Sequence, residues 1–498
     1  MTDINGDGWA DLLIGHLYEP DSKLWINNGG SGFVLISNFG VDTVRATHSP
    51  SFSDVDQDGD LDMFTTHWDF LKTSEEIHLW ENDGKGFFSP IEESGLMGNF
   101  GSRDYSFTAN FADINADNIP DLLVASDFQT AQVYEGNSNG TFTPISDISN
   151  ITGFNAMGSA LGDIDNDGDL DWFVTDIDVP YGNYPSRGNR LYRNNSTRLG
   201  DIVFEDVALE AGVRYGLWGW GACMKDFNND GWLDIFHVNG FGFTGEGINQ
   251  PILNSLSLIG INSIYDLIES DNNEAAEIIE ALMNFLGITN YASLNNYFGW
   301  GYESLDALES ELNALKSSAE ILDYRLGPGS GLIEHFYGTP AKLFMNNQDG
   351  TFTEQAFMLG IDDRGEGRGI VCNDFDRDGD IDITIMNHSD VPVFYENHFR
   401  RLSDFSDNFL NIRLHGVGGN QNAFGAKVTV SAGDLTQYRE MRFENNYMSN
   451  NAPELHFGLA AEAVIDEIRV EWPDGQVTLF TDIDVNQFMV IEHPSYLH

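Results

Sequence analysis

Asp163-Ile-Asp165-Asn-Asp167-Gly168-Asp-Leu-Asp171 decides the fold of this chain. Its oxygen-bearing side chains fall at the first, third, fifth and ninth positions, and the glycine at the sixth permits the sharp turn that wraps them around one point. A cluster of this kind calls for a hard cation. Calcium suits it, because that ion accepts roughly six to eight oxygens at about 2.3–2.6 Å from a flexible loop of carboxylates and carbonyls.

The pattern occurs six times, and its oxygen donors are the expected metal ligands. They are Asp3, Asn5, Asp7 and Asp11; Asp54, Asp56, Asp58 and Asp62; Asp113, Asn115, Asp117 and Asp121; Asp163, Asp165, Asp167 and Asp171; Asp226, Asn228, Asp230 and Asp234; and Asp374, Asp376, Asp378 and Asp382. In the third loop Asn118 replaces the glycine; asparagine tolerates the left-handed backbone better than most residues. An EF-hand would close with an acid at position twelve. Here that position holds Ile14, Thr65, Val124, Val174, His237 and Ile385, each inside an apolar strand-like run. The first five loops recur roughly every fifty to sixty residues, the period of a propeller or array. Within each period an aromatic strand runs into an Asn/Gly turn, as in Leu24-Trp-Ile-Asn-Asn-Gly29 and Leu79-Trp-Glu-Asn-Asp-Gly84. The unit reads strand, acidic loop, strand, connection, strand, turn, strand, which is one four-stranded propeller blade.

These residues resemble the FG-GAP or VCBS repeats of integrin-type propellers, and the resemblance implies a calcium ion in the first hairpin of each blade. From about residue 406 the pattern changes. Asn422-Ala-Phe-Gly-Ala-Lys-Val428, Tyr447-Met-Ser449, His456-Phe-Gly-Leu459 and Val470-Glu-Trp-Pro-Asp-Gly475 resemble the ASPIC/UnbV domain of the cartilage acidic protein family. The expected architecture is all-β: a calcium-binding propeller over residues 1–405 with six loops and six or seven blades, then a β-sandwich-like domain over 406–498. A helical insertion is expected at about 245–335. Its first helix, Asn273 to Leu286, stops at Gly287, and its second spans Ser304 to Leu326.

The formal net charge of −55 argues against nucleic acid and anionic membrane as partners. No apolar run approaches the length of a membrane span. Cys223 and Cys372 are read as small buried side chains rather than as a disulfide. Met1-Thr2 leads at once into the first loop, so an upstream strand, and with it a secretion signal, is expected to belong to the natural protein.

Chain direction puts the acidic loops on one face of the propeller and the longer connections, including the helical insertion, on the other. The second strand of each blade ends in His16, His67, Ser126, Asp176, Asn239 or Asn387, a polar ring near that second face. Crossings between blades add Arg45, Arg103, Arg364 and Arg368 with Trp218 and Trp220. From this set His16, His67, Arg103, Asp176, Trp218, Trp220 and Arg368 are the expected ligand contacts, because arginines, histidines and aromatics suit a carboxylated or sugar-like group. The expected role is an extracellular or cell-surface adhesion module that recognises a protein or glycan. The alternative is a lyase- or cyclase-type enzyme at the same mouth; no nucleophilic triad or phosphate loop is specified by spacing.

Overall fold

The computed structural model describes residues 1–15, 22–41, 47–68, 78–96, 104–145, 151–178 except 152 and 154, 188–240, 275–290, 338–388, 390–402 and 407–497, with isolated positions 258, 293, 294 and 312.

Six antiparallel sheets follow one another along the first four hundred residues. The first holds β1 (Leu12–Ile14), β2 (Lys23–Asn27) and β3 (Phe33–Ile36); the second β4 (Thr47–Ser53), β5 (Asp62–His67), β6 (Leu79–Asn82) and β7 (Phe88–Pro90). The third is β8 (Ser106–Ala112), β9 (Asp121–Ser126), β10 (Gln132–Gly136) and β11 (Phe142–Pro144), and the fourth β12 (Ser159–Gly162), β13 (Asp171–Val174), β14 (Arg190–Asn194) and β15 (Phe204–Asp206). The fifth is β16 (Gly219–Lys225), β17 (Asp234–Asn239), β18 (Lys342–Asn346) and β19 (Phe352–Glu354), and the sixth β20 (Gly367–Asn373), β21 (Asp382–Asn387) and β22 (Val393–Tyr395).

The repeat seen in the sequence is a repeat in register. In five sheets the last residue of the inner strand pairs with the ninth loop residue: Ser53 with Asp62, Ala112 with Asp121, Gly162 with Asp171, Lys225 with Asp234 and Asn373 with Asp382. Thr2 bridges Asp11 at the same place in the first sheet. Inner strands β4, β8, β12, β16 and β20 lie side by side. All seven residues of β8 and of β16 are buried, as expected for strands covered on both faces. The sheets are propeller blades, six of them among the described residues.

The insertion lies between β17 and β18, where the chain leaves the fifth blade and returns to pair with it. Its first expected helix is α1 (Ala275–Leu286), one face of which buries Ile278, Ile279 and Leu282. Gly287 at φ 65° ends it, and the Ile288 N–H donates back to Met283 O at 2.9 Å. Of the second expected helix only Leu312, helical and buried, is among the described residues.

The C-terminal domain is two sheets. β23 (Phe409–His415) pairs with β26 (Leu455–Gly458) and, in parallel, with β29 (Gln487–Glu492); β24 (Lys427–Ala432) lies between β25 (Leu435–Glu440) and β27 (Val464–Glu471), with β28 (Val477–Asp484) at the edge. Val428, Val430, Ile465, Ile468, Val470, Leu410, Ile412 and Phe457 fill the space between them.

The two cysteines correct our reading. Cys223 on β16 and Cys372 on β20 form a disulfide, with Cα atoms 6.8 Å apart. Separated by 149 residues in sequence, they are neighbours because the inner strands of adjacent blades run alongside each other.

Candidate metal loops and the plugged channel

Each acidic loop is built by its own carboxylates. The first aspartate accepts the N–H groups of the fifth and sixth positions: Asp3 Oδ1 from Asp7 at 3.2 Å and Oδ2 from Gly8 at 2.7 Å, with the same pattern at Asp113, Asp163, Asp226 and Asp374. The ninth aspartate is a clamp. In all six loops one of its oxygens accepts the N–H of the second loop residue, for example Ile164 to Asp171 at 3.0 Å. Its other oxygen accepts an N–H at the end of the third strand, for example Asn194 to Asp171 at 2.8 Å.

The asparagine at that strand end then ties neighbouring blades together. Asn82 Nδ2 donates to Ile4 O in the first loop and Leu61 O in the second; Asn346 Nδ2 donates to Ile164 O and Leu233 O; Asn397 Nδ2 to Phe227 O and Ile381 O. The recurrent Asn/Gly turn in the sequence is therefore half turn and half interblade clasp.

Among the described residues, carboxylate oxygens gather most closely in three loops. Those of Asp54, Asp56 and Asp58, of Asp163, Asp165 and Asp171, and of Asp374, Asp376 and Asp382 lie within 4.8 Å of one another. Asp54 Oδ1 and Asp165 Oδ1 are buried with no hydrogen-bond partner. Oxygens buried without a partner are costly unless something else neutralises them, so the donor set fits a hard divalent cation. Burial pushes Asp54 and Asp374 up to about 6, Asp163 and Asp226 to about 7, and Asp62 to about 8. Like-charged neighbours add to the shift.

The C-terminal domain sits on this loop face. Asn420 N donates to Gly59 O at 2.8 Å, Ala460 N to Asn229 O at 2.8 Å, and Asn411 Nδ2 to Asp374 Oδ2 at 3.3 Å. Lys427 Nζ contacts Asp113 Oδ2 and lies 2.9 Å from Asn118 Oδ1, so the third loop, which lacks the usual glycine, carries an ammonium from the other domain.

From that face residues 441–451 reach into the propeller centre as a tongue. Ser49 Oγ donates to Asn445 Oδ1 at 2.9 Å, and Asn445 Nδ2 donates to Ala109 O at 3.2 Å. Ser449 Oγ accepts the Ile370 N–H at 2.9 Å, and Asn451 Oδ1 that of Cys372 at 2.9 Å. Tyr447, 2% exposed, packs among His48, Phe107 and Trp220 with centroids 5.2, 5.6 and 5.4 Å away. Because Ser53 leads into the second loop while Thr47 pairs with His67 at the far end, contacts at Ser49 and His48 place the tip well across the channel. Sequence reasoning quoted Tyr447-Met-Ser449 as a motif and missed the tongue. The available signal was the run of amides: Asn445, Asn446 and Asn451 satisfy bare inner-strand edges, and Asn450 holds Met1.

At the far mouth the expected ligand contacts divide. His67 and Asp176 are fully buried: His67 N donates to Ser106 Oγ at 2.9 Å, and Asp176 Oδ1 accepts Asn155 N at 2.9 Å and Ile177 N at 2.6 Å. Trp218 stacks on Trp220 at 6.4 Å, and the Arg368 guanidinium lies 4.0 Å from the Trp220 ring centre and donates to Gly240 O at 3.0 Å. Trp218 and Arg368 are partly exposed, Trp220 is buried. His16 and Arg103 lie outside the described residues.

Family models match the propeller and the C-terminal domain separately. Residues 3–65 and 113–174 match the FG-GAP-like repeat, and residues 416–496 match the domain described as ASPIC and UnbV. Cartilage acidic protein 1 of Homo sapiens is 25% identical over 47% of this chain and 30% of its own length, and that of Mus musculus 25% identical over 47% and 31%. The chain thus spans about a third of the length of the curated relatives it matches. Among solved structures, an Agrocybe aegerita lectin that recognises non-reducing terminal N-acetylglucosamine aligns over 80% of this chain and 79% of its own at 14% identity, with a TM-score of 0.39. Within this propeller, residues 3–65 and 113–174 are FG-GAP-like repeats, and residues 416–496 of the C-terminal domain are an ASPIC and UnbV domain.

Proposed function

We propose that the protein is an extracellular or cell-surface binding module, stabilised by calcium in its acidic loops, that recognises a protein or glycan through the propeller mouth opposite those loops. One observation carries this reading: the C-terminal domain covers the loop face and its tongue fills the channel. The far mouth is the side a partner would reach, and there the partly exposed Trp218 stacks on Trp220 while the Arg368 guanidinium, paired with Glu366 at 3.3 Å, lies over that same Trp220 ring. An indole face stacks on a sugar ring or an apolar side chain, and a guanidinium binds carboxylate in a fork. Grafting recognition on a rigid scaffold is the usual use of such loops. Calcium in this reading is structural: it neutralises loops whose carboxylates otherwise repel one another.

The test has two parts. Metal analysis of the purified chain should find about five or six calcium ions, and chelation should lower the melting temperature by many degrees, since a ligand at about 100 times its Kd adds roughly 2.7 kcal/mol per site. Glycan-array and extracellular-protein screening should then give a ligand whose binding is lost in Trp218→Ala with melting and calcium content unchanged. A ligand retained by that variant would move the site elsewhere.

A further inference from the structure

Lys225, Glu444 and Asn451 meet where the tongue passes the end of β16. Lys225 Nζ lies 2.8 Å from Glu444 Oε2 and 3.1 Å from Oε1. Asn451 Nδ2 donates to the same Oε2 at 2.7 Å. One carboxylate oxygen therefore holds the amine and the amide nitrogen together. The other end of the amide is fixed as well: Asn451 Oδ1 accepts the backbone N–H of Cys372 at 2.9 Å and Asn446 Nδ2 at 2.8 Å. The backbone donor settles which amide atom is oxygen. Lys225 is 6% exposed and Asn451 3%.

We propose that Lys225 and Asn451 join in an intramolecular isopeptide bond, with Glu444 as the acid–base group, so that the tongue becomes covalently attached to the propeller. Each element of an amide exchange is present. A lysine amine is the nucleophile once it loses a proton, and a neighbouring carboxylate can take it. Lys225 Nζ gives its protons to Glu444 and to the departing nitrogen as it attacks Asn451 Cγ. The tetrahedral oxygen on Oδ1 is held by the Cys372 N–H and Asn446 Nδ2, two donors already aimed at that atom. Glu444 returns a proton to Nδ2, the Cγ–Nδ2 bond breaks, and ammonia leaves as ammonium. The net change is a lysine ammonium and an asparagine amide converted to a secondary amide and ammonium, with no oxidant or other co-reactant. Holding amine and amide in one water-poor site supplies the proximity that a reaction of two unactivated groups requires.

Calcium occupancy is not part of this chemistry, so the proposal stands apart from the functional reading above. Intact mass of the full chain, denatured and reduced after folding in calcium, decides it. The expected mass is about 17 Da below that of the sequence, the mass of the ammonia lost from a lysine–amide condensation. Proteolysis should yield a branched species joining the peptide with Lys225 to the peptide with Asn451. Glu444→Gln and Lys225→Met should restore the full mass and abolish the branched species. Two results would overturn the proposal: the unaltered sequence mass in the folded wild-type chain after prolonged incubation, or a 17 Da loss, about one ammonia, confined to the Asn451 peptide and kept in Lys225→Met, which is a succinimide. Because the wild-type mass is decisive, a variant that fails to fold does not remove the test.

Discussion

Asn445 and Asn110 exchange hydrogen bonds at the centre of the propeller: Asn445 N donates to Asn110 Oδ1 at 3.1 Å, and Asn110 Nδ2 donates to Asn445 O at 3.2 Å. Asn110 belongs to β8 and Asn445 to the tongue, so the pair replaces the neighbour that an inner strand lacks. The C-terminal domain is thereby part of the propeller's core.

Asn445→Ala should be among the most damaging single substitutions outside the apolar cores. It leaves Ser49 Oγ and the Ala109 carbonyl without the tongue side chain. Each buried group stranded in this way costs about 1–3 kcal/mol, so a loss of about 2–4 kcal/mol is expected in urea unfolding, with calcium content at saturation unchanged. A loss within 0.5 kcal/mol, roughly the range of surface substitutions, would mean the tongue contributes little.

The disulfide closes a long loop. Cys223→Ser with Cys372→Ser should cost about 2–4 kcal/mol, since a cross-link over so many residues removes much of the unfolded chain's freedom. A reductant should lower the wild-type melting temperature to that of the double variant and leave the double variant untouched.

In chelator the acidic loops should make the protein less stable as pH rises. Burial raises the carboxyls of Asp3 and Asp54 to about 6, Asp163 to about 7 and Asp62 to about 8. The folded chain then holds protons that the unfolded chain has released above about pH 4, so unfolding gains with each step toward pH 8. With calcium bound the sign reverses, because protonation competes with the ion. Urea midpoints at pH 5, 6.5 and 8 should fall with pH in chelator and rise with pH in calcium.

How much of this could be read from the chain divides by range. Position nine of each loop was assigned as a metal ligand from spacing, and the spacing was right about the turn, since both its oxygens organise backbone that is close in sequence. Blades, the insertion point and the sandwich were legible for the same reason: periodicity of two and the Asn/Gly turns are local signals. The disulfide and the tongue were not. Nothing near Cys223 announces Cys372, and nothing in Asn445-Asn446 names Asn110; both depend on which strands the ring brings side by side. The ring of strand ends was located by quasi-symmetry, yet that argument gives position and not exposure, and His67 and Asp176 prove to be buried.

His48 should make the calcium-loaded protein sensitive to mild acid. Burial lowers its imidazole to about 3, and its Nδ1 has no hydrogen-bond partner. The unfolded chain takes up a proton near pH 6.5 that the folded chain refuses, so stability is lost as pH falls below that value, by about 1.4 kcal/mol per pH unit. His48→Phe keeps a ring against Phe107 and Tyr447. Its urea midpoint should fall less between pH 6.5 and 5 than that of the wild type; equal slopes would show that other groups dominate.

The tongue also sets an order of events on the ribosome. Ser49 waits for Asn445, 396 residues later in the chain, and such distant pairings are slow to form because the entropy of closing the loop comes before its reward. All six blades emerge before the segment that fills their centre. A nascent propeller therefore exposes its bare inner strands until the tongue has emerged, and a chain stopped before residue 445 presents to chaperones and proteases an open channel that the folded one closes.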